Sequence, residues 1–140
     1  MNAVLIIGRV LFALICLNAG INHFTHGKAM VGYAQFKKVP AAAIAVPLSG
    51  LLLFLGAASV ILGVVADLGA LVLAILLLVM AVQMHDFWKA DEASKQSETI
   101  SFFKNVSMAG AGLVMFAALA GADKGARVLG PMMTNSLFHK

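Results

Sequence analysis

Four long stretches of this chain are almost free of charge, and they constrain its fold more than any other feature. They are residues 3–22, 41–66, 68–84 and 106–122, and only the first holds a charged residue, Arg9. A helix of roughly 20 residues crosses the hydrocarbon core of a bilayer, where the backbone must satisfy its own hydrogen bonds. The sequence therefore predicts four membrane-spanning helices, at about residues 4–24, 43–65, 68–86 and 104–122.

The composition excludes a soluble enzyme and a disordered chain. Of the 140 residues, 61% are hydrophobic and 11% are charged, whereas soluble domains are about half apolar and about a quarter charged. So much apolar surface cannot all be buried in a compact domain of this size, and the remaining surface suits lipid. We therefore expect the chain to form a single domain that lies in the lipid bilayer.

The net charge of +4 does not indicate a nucleic-acid partner. Its ten Lys and Arg residues are scattered among apolar runs and form no basic face. Anionic lipid headgroups are the better match for such a distribution. The single cysteine, Cys16, cannot form an internal disulfide and is interpreted as a small packing residue.

The connections between the spans predict an all-α, up-down four-helix bundle in the membrane. The second and third spans are separated only by residues 65–67, a tight hairpin with Asp67 as helix N-cap. The other two connections, residues 23–40 and 85–103, are long and polar. With four spans they lie on the same side, which we call the loop end, opposite the hairpin end.

Arg9 lies within about one turn of the end of the first span, so we expect its side chain to snorkel to the interface. No positive region precedes this stretch and no Ala-x-Ala-like site follows it, so we interpret it as a true span rather than a signal peptide.

Two segments of the long connections carry their own expectations. In residues 27–40, Met30, Tyr33 and Phe36 recur every three residues between lysines, which favours a short interfacial helix; Gly32 leaves an ordinary loop as the alternative. Residues 94–101 are polar without periodicity, and we predict an exposed loop there.

Candidate functional residues gather at the loop end. Asn22 and His26 lie four residues apart on the first helix, with His23 beside them, and the third span ends in His85, Asp86 and Trp88. Three interpretations remain open: a polar rim at the membrane interface, a site for a quinone or another amphiphilic redox ligand, and a metal or haem held by the histidines. The histidine spacing favours the last least, and we predict no metal site. Asp86 either faces water or hydrogen-bonds His85, as a proton relay would require.

The order and spacing of several short motifs resemble the DoxX family. They are Arg9, Ala19-Gly20, Val39-Pro40, Pro47-Leu48-Ser49-Gly50, Gly56 to Gly63, His85-Asp86-Phe87-Trp88 and Phe103-Lys104-Asn105 before Gly110. The resemblance covers about residues 4–121. It implies a four-helix protein of the prokaryotic cell membrane and adds Lys104 and Asn105 to His85 as candidate positions. Many members carry a Glu in the second helix, and this chain departs from them because residues 51–55 are all apolar.

The resemblance also implies a class of function. Some relatives are subunits of thiosulfate:quinone oxidoreductases, others associate with thiol-redox partners, and most have no settled activity. Two hypotheses follow: a small redox-linked membrane subunit that associates with quinone, and a non-catalytic structural or assembly subunit. The first rests on the histidine cluster and the resemblance. The second rests on small residues suited to helix packing, and it calls for a protein partner or a homo-oligomer.

Overall fold

The computed structural model describes residues 2–121, which fold into five α-helices and one short 3-10 turn. The elements are α1 (Asn2–Thr25), α2 (Gly27–Phe36), α3 (Ala42–Leu62), α4 (Ala66–Met84), the 3-10 turn (Phe87–Lys89) and α5 (Glu92–Ala120). All but α2 of the five helices are long and apolar enough to cross a membrane. The predicted all-α membrane bundle is confirmed, and the short helix expected in the first long connection is α2. The last residue of the predicted fourth span, 122, lies outside the described range.

The helices pack in the order α1, α3, α4, α5, and α2 lies against α3 at the loop end. Two glycines allow α1 and α3 to approach closely. A Cβ added to Gly20 would lie 2.8 Å from the backbone nitrogen of Phe54, and one added to Gly50 would lie 2.5 Å from the Cβ of His23. Cys16 is buried in the core between the helices, as expected, together with Leu53 and Leu73.

The predicted loop at residues 94–101 is wrong, because this segment is the first part of α5. Asp91 caps the helix: its Oδ1 accepts a hydrogen bond from the backbone N–H of Ser94 at 2.9 Å, which satisfies one of the free donors of the first turn. The polar residues that suggested a loop are exposed or half-buried and form the first turns of a long helix.

The expected cap of α4 by Asp67 is also wrong. The α3–α4 link consists of residues 63–65, with Gly63 and Val65 at positive φ (70° and 45°), and Asp67 already lies buried in the first turn of α4. The Ser59 hydroxyl supports the link, since it lies 2.6 Å from the carbonyl oxygen of Val64 and 3.1 Å from that of Val65. A hydroxyl from the preceding helix thus stabilises the link.

Arg9 does not snorkel to the interface. Its side chain is 4% exposed and donates hydrogen bonds from Nε to the carbonyl of Val60 at 3.0 Å and from Nη2 to that of Ile61 at 2.8 Å. The last carbonyls of a helix lack partners within the helix, and the C-terminal end of its dipole attracts cations. Arg9 therefore caps the C-terminus of α3, which explains how a charge is accommodated in an apolar span.

Candidate ligand cavity at the loop end

A cavity of about 380 Å³ lies at the loop end among α1, α2, α3 and α4. Most of its lining is aliphatic, including Met30 of α2, Val46 of α3 and Met80 of α4. The polar side chains that line it are His23, Tyr33, Ser49, Gln83 and His85. An apolar cavity with a few polar groups is the usual form of a small-molecule site.

His23 reaches the cavity from the last turns of α1. The residue is 8% exposed, and its Nδ1 lies 2.7 Å from the carbonyl oxygen of Ala19. A carbonyl only accepts hydrogen bonds, so Nδ1 carries a proton, and Nε2 is the acceptor in the neutral form of the ring. Gly50 on α3 makes room for this side chain.

His85 reaches the cavity just after α4 and is held by Glu98 of α5. Its Nδ1 lies 3.1 Å from Oε2 of Glu98, while the Tyr33 hydroxyl of α2 donates to Oε1 at 3.0 Å. A carboxylate that accepts from Nδ1–H fixes the same tautomer as in His23 and stabilises the imidazolium if the ring takes up a proton. Both histidines therefore present the same kind of acceptor, Nε2.

A lysine joins α2 to the same polar network. Nζ of Lys37 lies 2.6 Å from Oδ1 of Asp86 and 3.8 Å from Oε2 of Glu98. Burial lowers the pKa of Lys37, but the hydrogen bond to Asp86 and the nearby negative charges outweigh it, so the pKa lies above its usual value. The pKa of Tyr33 is also raised, by burial first and then by its contact with Glu98. The network therefore keeps Lys37 charged and the Tyr33 phenol neutral beside the cavity.

The structure brings two of the sequence-predicted residues, His23 and His85, to one cavity. His26 is exposed, with Nδ1 2.9 Å from the Thr25 hydroxyl. Of the two alternatives for Asp86, the structure does not show the hydrogen bond to His85: Asp86 forms an ion pair with Lys37, and Glu98 lies beside the imidazole.

The remaining candidates lie outside the lining of this cavity. Asn22 is half-buried on α1, Lys104 is exposed on α5, and Asn105 is buried on the same helix. Trp88 is exposed and packs edge-on against Phe87 and Phe102, with ring centroids 5.3 and 5.7 Å apart. Within residues 2–121, no group of three or more His, Cys, Asp or Glu is arranged to hold a metal ion.

Sequence reasoning missed Glu98 and Lys37, and the missed signal for Glu98 was helical periodicity. Glu98 precedes the buried residues Asn105 and Gly112 by seven and fourteen positions, so all three lie close to one face of a helix. Extending the periodicity of the fourth span backwards to the cap at Asp91 would have placed Glu98 on the face that meets α4. For Lys37 the sequence offers no comparable signal.

In a comparison with known proteins, a family model matches the segment of the chain that lines most of this cavity. The family model DoxX matches residues 4–86, from the first turn of α1 to the residue after His85. No curated protein and no solved structure matches the chain. Glu98 lies beyond the matched residues, as do Trp88, Lys104 and Asn105.

Proposed function

The chain belongs to the DoxX family, and from that premise we propose that it is a small redox-linked subunit that binds quinone in the loop-end cavity. It works in the prokaryotic cell membrane beside a partner oxidoreductase, which carries out the electron transfer. The observation that carries this proposal is the pair of histidines, His23 and His85, each with Nδ1 hydrogen-bonded and both lining one apolar cavity.

The chemistry of the lining suits the head of a quinone and its reduced form, the quinol. Aliphatic walls accept the ring, and the hydroxyl groups of a quinol need hydrogen-bond acceptors, which Nε2 of the two histidines provides. The amide of Gln83, also in the lining, can donate to a quinone carbonyl. Glu98 stabilises the His85 imidazolium when the ring receives a proton from the quinol.

The test is direct binding of a prenylated benzoquinol to the purified protein in lipid nanodiscs. We expect saturable binding to the wild-type chain and about tenfold weaker binding or more to His85→Ala and to His23→Ala, since each loses a polar contact in an apolar site. His26→Ala is the matched control: it removes an exposed histidine outside the cavity and should bind as wild type. A wild-type protein without saturable binding, or an equal loss in the His26 variant, would contradict the proposal.

A second candidate function, a structural or assembly subunit, is favoured by one face of α5. Gly110 has no atom within 4 Å of the position its Cβ would take, and Val114, four residues later, is exposed. Small residues on an open helix face allow a further helix to approach in lipid. Extraction in mild detergent tests this alternative, which fails if the chain elutes without a stoichiometric partner.

A further inference from the structure

A second cavity continues the loop-end cavity towards the hairpin end. It has a volume of about 360 Å³ and lies between α3 and α4. Leu52 lines both cavities. Both are bordered by α3 and α4, and we call the two together the α3–α4 groove, which runs from the polar side chains at the loop end to the link at residues 63–65.

The α3–α4 groove is long compared with the membrane. On α3 it is bordered from Leu48 to Leu62, which at 1.5 Å per helical residue corresponds to about 20 Å. The hydrocarbon core of a bilayer is about 30 Å thick. A ligand with its head at the loop end could therefore extend a chain along the α3–α4 groove through most of that core.

The part of the groove nearer the hairpin end suits an apolar chain. Its lining there is aliphatic except for Ser59, whose hydroxyl is already engaged with the carbonyls of the α3–α4 link. Gly56 and Gly69 lie at the helix contact, where an added Cβ on Gly56 would lie 2.9 Å from Leu73 Cγ. These glycines keep the floor of the groove free of side chains.

The lining also distinguishes between a prenyl tail and the chain of a phospholipid. Among the described residues that line the two cavities there is no Lys or Arg. The uncharged head of a quinone can therefore lie inside the cavity against the two histidines and Gln83, whereas the phosphate of a phospholipid would have to lie outside the lining to reach a lysine such as Lys37.

We propose that the α3–α4 groove holds the prenyl tail of the quinone and makes the site selective for long-tailed quinones. The inference rests on the proposed function, since it assumes that the head occupies the loop-end cavity. It names a specificity element, the apolar groove between α3 and α4, that acts through packing contacts with the tail rather than through contacts with the redox-active ring.

The experiment compares a long-tailed prenyl benzoquinol with a tail-less methyl analogue in nanodiscs, with each affinity corrected for partition into the bilayer. We expect the wild-type chain to bind the long-tailed quinol about tenfold more tightly or more, because the tail makes packing contacts with a preformed groove in place of contacts with mobile lipid chains. Val72→Trp fills the groove on α4 and should remove this preference while the methyl analogue binds as before. Ala58→Phe, from the α3 side, should do the same if Val72→Trp does not fold.

Ile75→Trp is the matched control. Ile75 lies one turn from Val72 on the same helix, is 55% exposed and lines neither cavity, so this variant should keep the preference. Equal wild-type affinities for the two quinols, or a preference that survives in both groove variants, overturn the groove while the head site stands. A wild-type protein that binds neither quinol overturns the proposed function as well, and an equal loss in Ile75→Trp assigns the preference to the lipid-facing surface in general.

Discussion

Charged side chains at the two ends of the bundle differ in their exposure to water and in the groups with which they pair. At the loop end, Lys37 pairs with both Asp86 and Glu98 at partly exposed positions. At the hairpin end, Arg9 is almost completely buried and donates its hydrogen bonds to backbone carbonyls of α3. The difference follows from access to water: charges that water can reach can exchange partners and protons, whereas a charge in the apolar region must be matched permanently. The loop end is therefore the end suited to chemistry, and the hairpin end serves to hold the bundle together.

The largest effect is expected from Arg9→Met at the hairpin end. The variant removes, among its contacts, the charge-assisted hydrogen bonds to the carbonyls of Val60 and Ile61, so we expect a loss of about 2–4 kcal/mol in the free energy of unfolding. Thermal and denaturant unfolding in detergent measures it. Lys104→Met, which removes an exposed cation on α5, is the control and should change stability little. If the two variants lose equal stability, the contrast between the two ends is wrong.

A smaller effect is expected from Gly50→Ala, which acts where the α1–α3 packing meets the cavity. The new methyl group would collide with His23, so α1 must move away from α3, at a cost of about 1–3 kcal/mol. The variant should also bind quinol more weakly, because His23 is displaced. Gly32→Ala on α2 has open space around its Cβ and should be neutral or stabilising by up to about 1 kcal/mol. Normal quinol binding by Gly50→Ala would show that the position of His23 is unimportant.

The smallest effect is expected from Lys37→Met at the loop end. A partly exposed ion pair contributes about 1 kcal/mol or less, so unfolding measurements near neutral pH should show a small loss that salt reduces further. The effect is smaller than that of Arg9→Met because water and ions screen the ion pair of Lys37, whereas Arg9 is buried.

The same variant tests the pH dependence of the loop end. The pKa of Lys37 is raised in the folded protein, so its contribution is present below the pKa of the unfolded chain and disappears as the pH rises through the folded value, on the alkaline side of the usual range for lysine. The wild-type chain should therefore lose stability there, and Lys37→Met should lose less. Tyr33, whose pKa is also raised, titrates in the same direction and accounts for part of the remaining decrease. An identical alkaline profile in the variant would contradict the role of Lys37.

The sequence predicted the fold and part of the candidate site. There is a physical reason why the other residues of the candidate site were not predicted. Apolar runs long enough to span a bilayer define the helices directly, because lipid leaves the backbone few alternatives. His23 and His85 were found because polar residues at the ends of apolar runs stand out. Glu98 was not found, because in a polar segment a carboxylate that holds a histidine looks the same as one that faces water.

The corrections at the hairpin end have the same origin. Arg9 and Asp67 were assigned to the interface and to a helix cap by their positions near the ends of spans, although both side chains are buried. Their surroundings depend on which helix ends lie next to them in space, and the spacing of residues along one helix contains no such information.

The sequence by itself determined that the chain enters the membrane, the number of its long helices and which connections share a side, since these follow from the hydrophobic effect and from chain length. Only the tertiary structure decided that Arg9 caps α3, that Glu98 rather than Asp86 holds His85, and that α3 and α4 border two cavities that share Leu52. These features arise from contacts between residues far apart in the chain, whose geometry is fixed by how helices pack and not by the composition of any one of them.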